Sequence, residues 1–421
     1  MKSKLLSILA CLGLSLAGAH PALAQAPTSA QPIKIALCFD MSKSYTFISP
    51  PIAAAIRDYA KILNQAGGIE GHPIEVLLQD HGNEPQRGIE CYEKMKRDGA
   101  ITFDFLSTPV SAALLPRLMR DGNVQISGLT GRGDTVDGGV YKWMFPIGPT
   151  YWAQMANNIQ YIKSKSNNSL KGVKIAYFYL DYVYGQDQLE LLKTLAAREG
   201  FELQLFPNPL PGNDQAAIWT QIRRANPDWV ISWNLANMHA VAAREMKRNG
   251  IPMEKYISSI FLNEVDLANI GYDAAKGLKR GTYVVGGKNH PLIQQIIKDL
   301  YSNGKGSDDP KYLDNIYYNT GLAMYSPVFE GARLAIKQHG WPLTPDKMRS
   351  GLESLKNYDA NGFMAPITIT AKDHGGGGKA RVDMWDGAKW VPQTDWISAY
   401  NDDIWALVKK DSAKFLSANP K

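Results

Sequence analysis

Asn64-Gln65-Ala66-Gly67-Gly68-Ile69-Glu70-Gly71-His72-Pro73-Ile74-Glu75-Val76-Leu77-Leu78-Gln79 is the stretch that decides the fold. From Pro50 to Ala66 the apolar residues Ile52, Ile56, Tyr59, Ile62 and Leu63 fall on one helical face. Gly67 accepts the left-handed conformation that ends a helix. His72-Pro73 forces an extended entry, and Ile74, Val76 and Leu78 then alternate as a strand. Ile33 to Phe39 reads as the preceding strand, so the unit is strand, helix, strand with a right-handed crossover. An open α/β sheet is therefore being wound from the first folded residues.

The chain before Ile33 reads as an address. Lys2 and Lys4 precede an apolar run from Leu5 to Ala17, and Ala22-Leu23-Ala24 carries small residues where a signal peptidase reads. The run is too short to span a membrane, and it leads into His20-Pro21 and a polar linker up to Pro32. Cleavage after Ala24, giving a mature start at Gln25, is expected. A lipid-modified Cys11 is the rival, disfavoured by the few apolar residues before it. Loss of Lys2 and Lys4 lowers the formal net charge from +6 by two, a balance suited to a soluble periplasmic protein. No Lys/Arg cluster dominates any segment, which argues against a nucleic-acid partner.

Cleavage leaves Cys38 on the first strand and Cys91 on the helix after the second. In an oxidising compartment they could pair; equally, they could be two buried thiols acting as small hydrophobes. Neither lies in a CxxC or beside a candidate His, so redox or metal chemistry is not indicated.

A mature chain of about 400 residues exceeds one ordinary core and implies two lobes. In the first, helix 84–97, strand 101–106, helix 109–120 with a kink at Pro116, and strand 124–127 follow the opening unit. A Gly-rich stretch, 128–139, leads through Pro146 and Pro149 into a new helix at a first crossing. A second series follows: strand 173–180, helix 186–198, strand 202–206, helix 215–225, strand 229–233, helix 236–249 and strand 256–261. The Gly-punctuated segment 281–287 returns the chain to helices at 290–301 and 315–339. Past Asn361 come short strands and loops, then an amphipathic helix near 402–415. The expected division is 1–24 signal peptide, 33–148 lobe I, 149–283 lobe II, 284–364 lobe I again, and 365–421 lobe II with a C-terminal extension.

Motifs of chemistry are sparse. Histidines 72, 81, 239, 290, 339 and 374 show no HExxH or other ligand spacing, and no GxSxG elbow occurs. Gly375 to Gly378 before Lys379 lacks the spacing of a phosphate loop and reads as a flexible hairpin loop. Gly131-Arg132-Gly133 is no dinucleotide fingerprint. No cofactor and no metal are implied.

Several stretches resemble the leucine/isoleucine/valine-binding-protein family, the periplasmic substrate-binding subunits of ABC importers. They are Asn64 to Gly71; Asp80 with Pro85; Ser107-Thr108 with Ala112-Ala113 and Pro116; and Ile126-Ser127. Tyr184-Gly185 and Gly277-Leu278 add weaker support. The resemblance implies a type I periplasmic-binding fold: two lobes, each an open, doubly wound, mostly parallel sheet, joined by three crossings and closing on a ligand by hinge motion. It implies that Ser107 and Thr108 bind a ligand carboxylate, that Leu129 through its backbone and Thr130 through its hydroxyl take the other side of the head group, and that Tyr45 and Tyr184 are walls. Independently, ligands of open α/β sheets sit outside the carboxyl ends of strands, near helix starts. Ser107 and Thr108 precede Pro109, a first-turn residue, so Thr108 also reads as a helix N-cap.

The chain departs from that family at the ammonium site. Glu264 is the nearest match to the second-lobe acid, though the loop is shorter, and Asn234 and Leu235 stand where an aromatic is expected. Arg132 and the rings of Trp152, Tyr177, Phe178, Tyr179, Tyr182 and Trp233 are present instead, most of them serving packing. The expected ligand is a small carboxylate-bearing molecule: a branched-chain or other apolar amino acid or, if two or three of these rings line the cleft, an aromatic carboxylate. The reading is a monomeric, non-enzymatic receptor that delivers a small molecule to an inner-membrane ABC permease. The alternatives are a secreted α/β enzyme such as a hydrolase without a recognisable motif, and a ligand sensor of the same fold.

Overall fold

The computed structural model describes residues 30–129 and 131–419. The basic start, Cys11, the cleavage site after Ala24 and Thr130 lie outside the described residues. Strands β1 (Ile33–Phe39), β2 (Ile74–Asp80), β3 (Thr102–Asp104), β4 (Val124–Ile126) and β5 (Met144–Phe145) form a parallel sheet in the order β2-β1-β3-β4-β5. Ile33 pairs with Ile74 and Phe39 with Asp80. The deciding stretch folds as read: helix Ser49–Gln65 ends at Ala66, and Gly67 and Gly68 take φ of 97° and 78°. At Gly68 a Cβ would lie 2.2 Å from the His72 carbonyl oxygen, so this turn admits only glycine.

The second sheet repeats the winding. Strands β6 (Lys174–Leu180), β7 (Glu202–Asn208), β8 (Trp229–Trp233), β9 (Tyr256–Ser258) and β10 (Lys279–Thr282) run parallel in the order β7-β6-β8-β9-β10. Strands β11 (Arg381–Trp385) and β12 (Trp390–Pro392) add an antiparallel hairpin beyond β10. Both lobes therefore reverse strand order at the equivalent place, between β1 and β3 and between β6 and β8. Two doubly wound sheets of one topology are what the sequence predicts.

After β10 the chain rejoins the first lobe. Helix Ile316–His339 lies across helix Ser49–Gln65 so closely that a Cβ at Gly321 would stand 2.9 Å from the Ala55 Cβ. Asp58, fully buried between them, accepts hydrogen bonds from the Tyr318 hydroxyl (2.8 Å), the Tyr301 hydroxyl (3.0 Å) and the Ser307 amide (2.9 Å). A buried carboxylate so surrounded fixes the returning segment to the first lobe.

Some elements differ from the sequence reading. The helix expected over 186–198 is broken into Val183–Gln186 and Leu189–Glu199. Gly185 allows the first piece to fold back on β6, since a Cβ there would meet the Leu180 carbonyl oxygen at 2.1 Å. The glycines at 281–287 do not mark a bare crossing, because Gly281 and Thr282 belong to β10. Cys38 and Cys91 form a disulfide between β1 and helix Pro85–Arg97, which decides between the two readings of those cysteines. Among the described residues no helix is long and apolar enough to cross a membrane.

Candidate functional site

The loops leaving the carboxyl ends of the strands beside both switch points meet face to face. Tyr45 follows β1, Leu106 and Thr108 follow β3, and Leu129 follows β4; opposite them, Tyr184 follows β6, Leu235 follows β8 and Phe261 follows β9. With Ile48 and Tyr151 they enclose a cavity of about 10 Å³, room for one water. The lobes are thus drawn together, and a ligand needs the walls to part.

Each wall is held from behind. The Tyr45 amide donates to the buried Asp40 carboxylate at 2.9 Å. The neighbouring loop is tied by the Asp80 carboxylate, which accepts from the Met41 amide (2.8 Å) and the Ser42 hydroxyl (2.7 Å). Leu106 has φ of 42°, a left-handed conformation uncommon for a branched side chain, and its amide donates to Asp104 Oδ1 at 3.0 Å. Tyr151 opens helix Tyr151–Lys165, capped by Thr150. The Tyr184 ring meets those of Tyr151 and Phe261 edge-on, at 5.3 Å and 5.4 Å between centroids, and its hydroxyl lies 3.1 Å from Ser259 Oγ.

Burial pushes the phenols of Tyr45, Tyr151 and Tyr184 above the ordinary tyrosine range, so at neutral pH all three keep their protons and can donate. The Thr108 hydroxyl lies 3.3 Å from the Tyr151 hydroxyl, at the seam of the two lobes. The remaining lining is apolar. Such a box can hold an apolar body and offer hydroxyl donors to one polar head.

Of the residues singled out in the sequence, Tyr45, Thr108, Leu129 and Tyr184 come together here, while Thr130 lies outside the described residues. Ser107 does not line the cavity. It, and not Thr108, is the N-cap of helix Thr108–Asp121: its Oγ accepts from the Val110 amide at 3.3 Å and donates to Asn83 Oδ1 at 2.7 Å. Pro109 has no N–H, and the Ser111 amide bonds the Ser107 carbonyl oxygen, so the first turn's contribution narrows to Thr108.

Glu264 also stands apart. Its Oε1 accepts from Arg280 Nη1 and Trp390 Nε1, each at 3.2 Å, and its Oε2 accepts from the Ile316 amide at 3.2 Å. It lines a separate open groove of about 770 Å³ formed by helix Glu264–Ile270, the β11–β12 hairpin and, facing them, residues 285–287 and 311–315 of the returning segment. There the Arg280 guanidinium is covered by the Trp390 ring at 3.9 Å. The larger concavity shares no lining residue with the pocket at the strand ends. Arg132 pairs with Asp134 through two bonds of 3.0 Å and 2.6 Å, and the surplus rings of β6 and β8 pack in the core.

Sequence reasoning passed over Tyr151, Phe261, Leu106 and Ile48. The signal for Phe261 was available, because the strand-end rule that picks out Thr108 applies equally to the residues after β9. Tyr151 had no such signal, since it opens a helix reached through a crossing. Among the described residues no three His, Cys, Asp or Glu side chains gather as a metal site.

This architecture, two like-wound lobes closed over a strand-end pocket, defines a solute-binding protein. A family model described as periplasmic binding protein matches residues 32–389, and the chain belongs to that family, of the leucine/isoleucine/valine-binding type. A Pseudomonas fluorescens group structure described as an ABC transporter permease is 31% identical, with TM-score 0.84, over 92% of this chain and 97% of that one. A branched-chain amino acid ABC transporter protein from Thermus thermophilus with bound valine is 18% identical, with TM-score 0.77, over 90% and 99%. A solute-binding protein from R. palustris in complex with benzoate is 14% identical, with TM-score 0.69, over 88% and 98%. The latter two likenesses concern the fold alone. No curated protein matches the chain in sequence. The protein is accordingly a periplasmic binding protein of an ABC transporter.

Proposed function

We propose that the protein is the exported solute-binding subunit of an ABC importer, not an enzyme, and that it captures a small apolar or aromatic carboxylate lacking an amine. Export rests on the basic start, the apolar run and Ala22-Leu23-Ala24. Closure carries the ligand to an inner-membrane permease, with the hinge in the segments joining the two sheets. The observation that carries the ligand class is the lining of the interlobe pocket: apolar side chains and hydroxyls, with Phe261 and Leu235 on the second-lobe side and no acidic side chain among the described residues. Glu264, the sequence's candidate for an ammonium partner, is engaged by Arg280, Trp390 and Ile316. An ammonium buried without a partner is costly, whereas a carboxylate finds hydroxyl donors at Thr108 and the tyrosines.

The test is calorimetry with matched pairs that differ only in the α-amine: leucine against 4-methylpentanoate, phenylalanine against 3-phenylpropanoate. The amine-free member should bind at least about a hundredfold tighter and be recovered chemically unchanged. Equal or tighter binding of the amino acid would overturn the ligand class. Turnover of the bound acid would favour the enzyme reading.

A further inference from the structure

We infer that the C-terminal helix Asn401–Ala418 is a clasp that joins the two lobes and stabilises their closed arrangement. The helix is anchored to the second lobe at its start. Ala380 and Ile397 exchange backbone hydrogen bonds of 2.9 Å and 2.8 Å, and the Ala399 amide donates to Asn157 Oδ1 at 3.0 Å. The Arg198 guanidinium lies 5.5 Å from the Tyr400 ring centre, and Asp403 and Lys410 pair with Arg198 and Glu190, both on helix Leu189–Glu199 of that lobe.

Its other stripe reaches the first lobe. Lys409, Ser412 and Phe415, three residues apart in turn, share one helical face. The Asp137 carboxylate, on the loop between β4 and β5 and only 2% exposed, accepts from Lys409 Nζ at 2.8 Å and from Ser412 Oγ at 3.0 Å. The Phe415 ring packs 4.8 Å from that of Tyr141, in a cluster with Leu115 and Met144 of the first lobe.

Exposed ion pairs contribute little, so the first-lobe grip rests on the buried Asp137 and on Phe415. The grip is also placed at the cleft, because the adjoining turn Gly133–Val136 carries Asp134, which holds Arg132 beside the loop of Leu129. Hinge opening moves the two lobes apart and must break one set of these contacts. With the helix fixed to the second lobe along its first half, the breakable set is Asp137 and the Phe415 cluster. The extension thereby biases the open–closed equilibrium before any ligand arrives, which makes it a determinant of affinity outside the pocket.

The experiment needs no ligand. Spin labels placed at Glu90→Cys and Arg224→Cys, exposed positions on the two lobes, report the interlobe distance by pulsed dipolar spectroscopy on the full chain. Phe415→Ala should shift the closed-to-open ratio toward open by about tenfold, equivalent to about 1.4 kcal/mol. Phe415→Leu should restore most of the closed population. Lys410→Ala, which touches only the second lobe, should leave the distances as in the parent. An unchanged distribution in Phe415→Ala, or an equal shift in Lys410→Ala, would overturn the clasp and leave the helix as second-lobe packing. Thermal unfolding of each variant shows that the lobes remain folded.

Discussion

The Thr108 hydroxyl of the first lobe stands 3.3 Å from the Tyr151 hydroxyl of the second. This pair lies where a helix start and a strand-end loop converge, and each group is buried. When the lobes part the two hydroxyls separate, and a polar ligand head inserted between them would take both as partners. On the proposed reading, closure and recognition are coupled through this one pair of groups.

Removing the Thr108 hydroxyl tests this directly. A hydrogen bond to a charged group contributes about 1.5–3 kcal/mol, so Thr108→Val should weaken carboxylate binding by about ten- to a hundredfold. Ser107→Ala should behave otherwise, because Ser107 caps the helix: about 1 kcal/mol of stability is lost with a smaller change in affinity. Calorimetric titration beside thermal unfolding distinguishes the two. A silent Thr108→Val with a binding-defective Ser107→Ala would reverse the assignment.

Glu264→Gln should act on stability and leave ligand selectivity alone. Arg280 is 1% exposed and its Nε has no partner, so the Glu264 carboxylate is its principal compensation. Loss of that charge should cost about 1.5–3 kcal/mol, read from chemical denaturation. A changed preference between an amino acid and its amine-free analogue would instead return Glu264 to the ligand site.

The topology was legible because periodicity and glycine punctuation are local. Gly67-Gly68 and the alternation from Ile74 to Leu78 fix a crossover without reference to anything distant. The pocket was half legible. Tyr45, Thr108, Leu129 and Tyr184 sit at strand ends that sequence order locates, and the resemblance marked them. The roles of Ser107 and Glu264 were not, because they depend on partners such as Asn83, Trp390 and Ile316 that only the fold brings close. Short strands were expected past Asn361, but not their pairing as the antiparallel hairpin β11–β12 on the edge of β10, because which strand pairs with which depends on contacts distant in sequence.

Asp104 should make stability depend on pH. It is 1% exposed at the end of β3, and burial pushes its carboxyl up to about 7, against the opposing hydrogen bonds from the Leu106 amide and the Tyr325 hydroxyl. The folded state therefore favours the neutral acid. Its stabilising contribution is complete below the unfolded value of about 4 and disappears as pH rises through about 7. The parent should melt at a lower temperature at pH 8 than at pH 5.5, and Asp104→Asn, neutral throughout, should narrow that gap. Asp187, also raised to about 7 chiefly by burial, stays in both proteins and supplies the residual slope. An identical pH profile in the variant would show that Asp104 is ionised in the fold.

Gly133 offers the cleanest test of closure itself. It sits on the first-lobe turn Gly133–Val136 against Trp152 of the second lobe, and a Cβ built there would stand 1.8 Å from the indole Cδ2. Trp152 is 4% exposed and held by its Nε1–H bond of 2.8 Å to the Asp187 carbonyl oxygen, so the ring has little room to yield. The two partners belong to different lobes, which means that hinge opening relieves the clash without unfolding either. Gly133→Ala should therefore keep its circular dichroism and lose only a few degrees in melting temperature, about what 1 kcal/mol costs a chain of this size. It should also enlarge the radius of gyration of the ligand-saturated protein and weaken binding by at least about tenfold. Parental affinity and scattering in this variant would mean that the contact between Gly133 and Trp152 is absent from the liganded state, and that closure brings the lobes together along a different line.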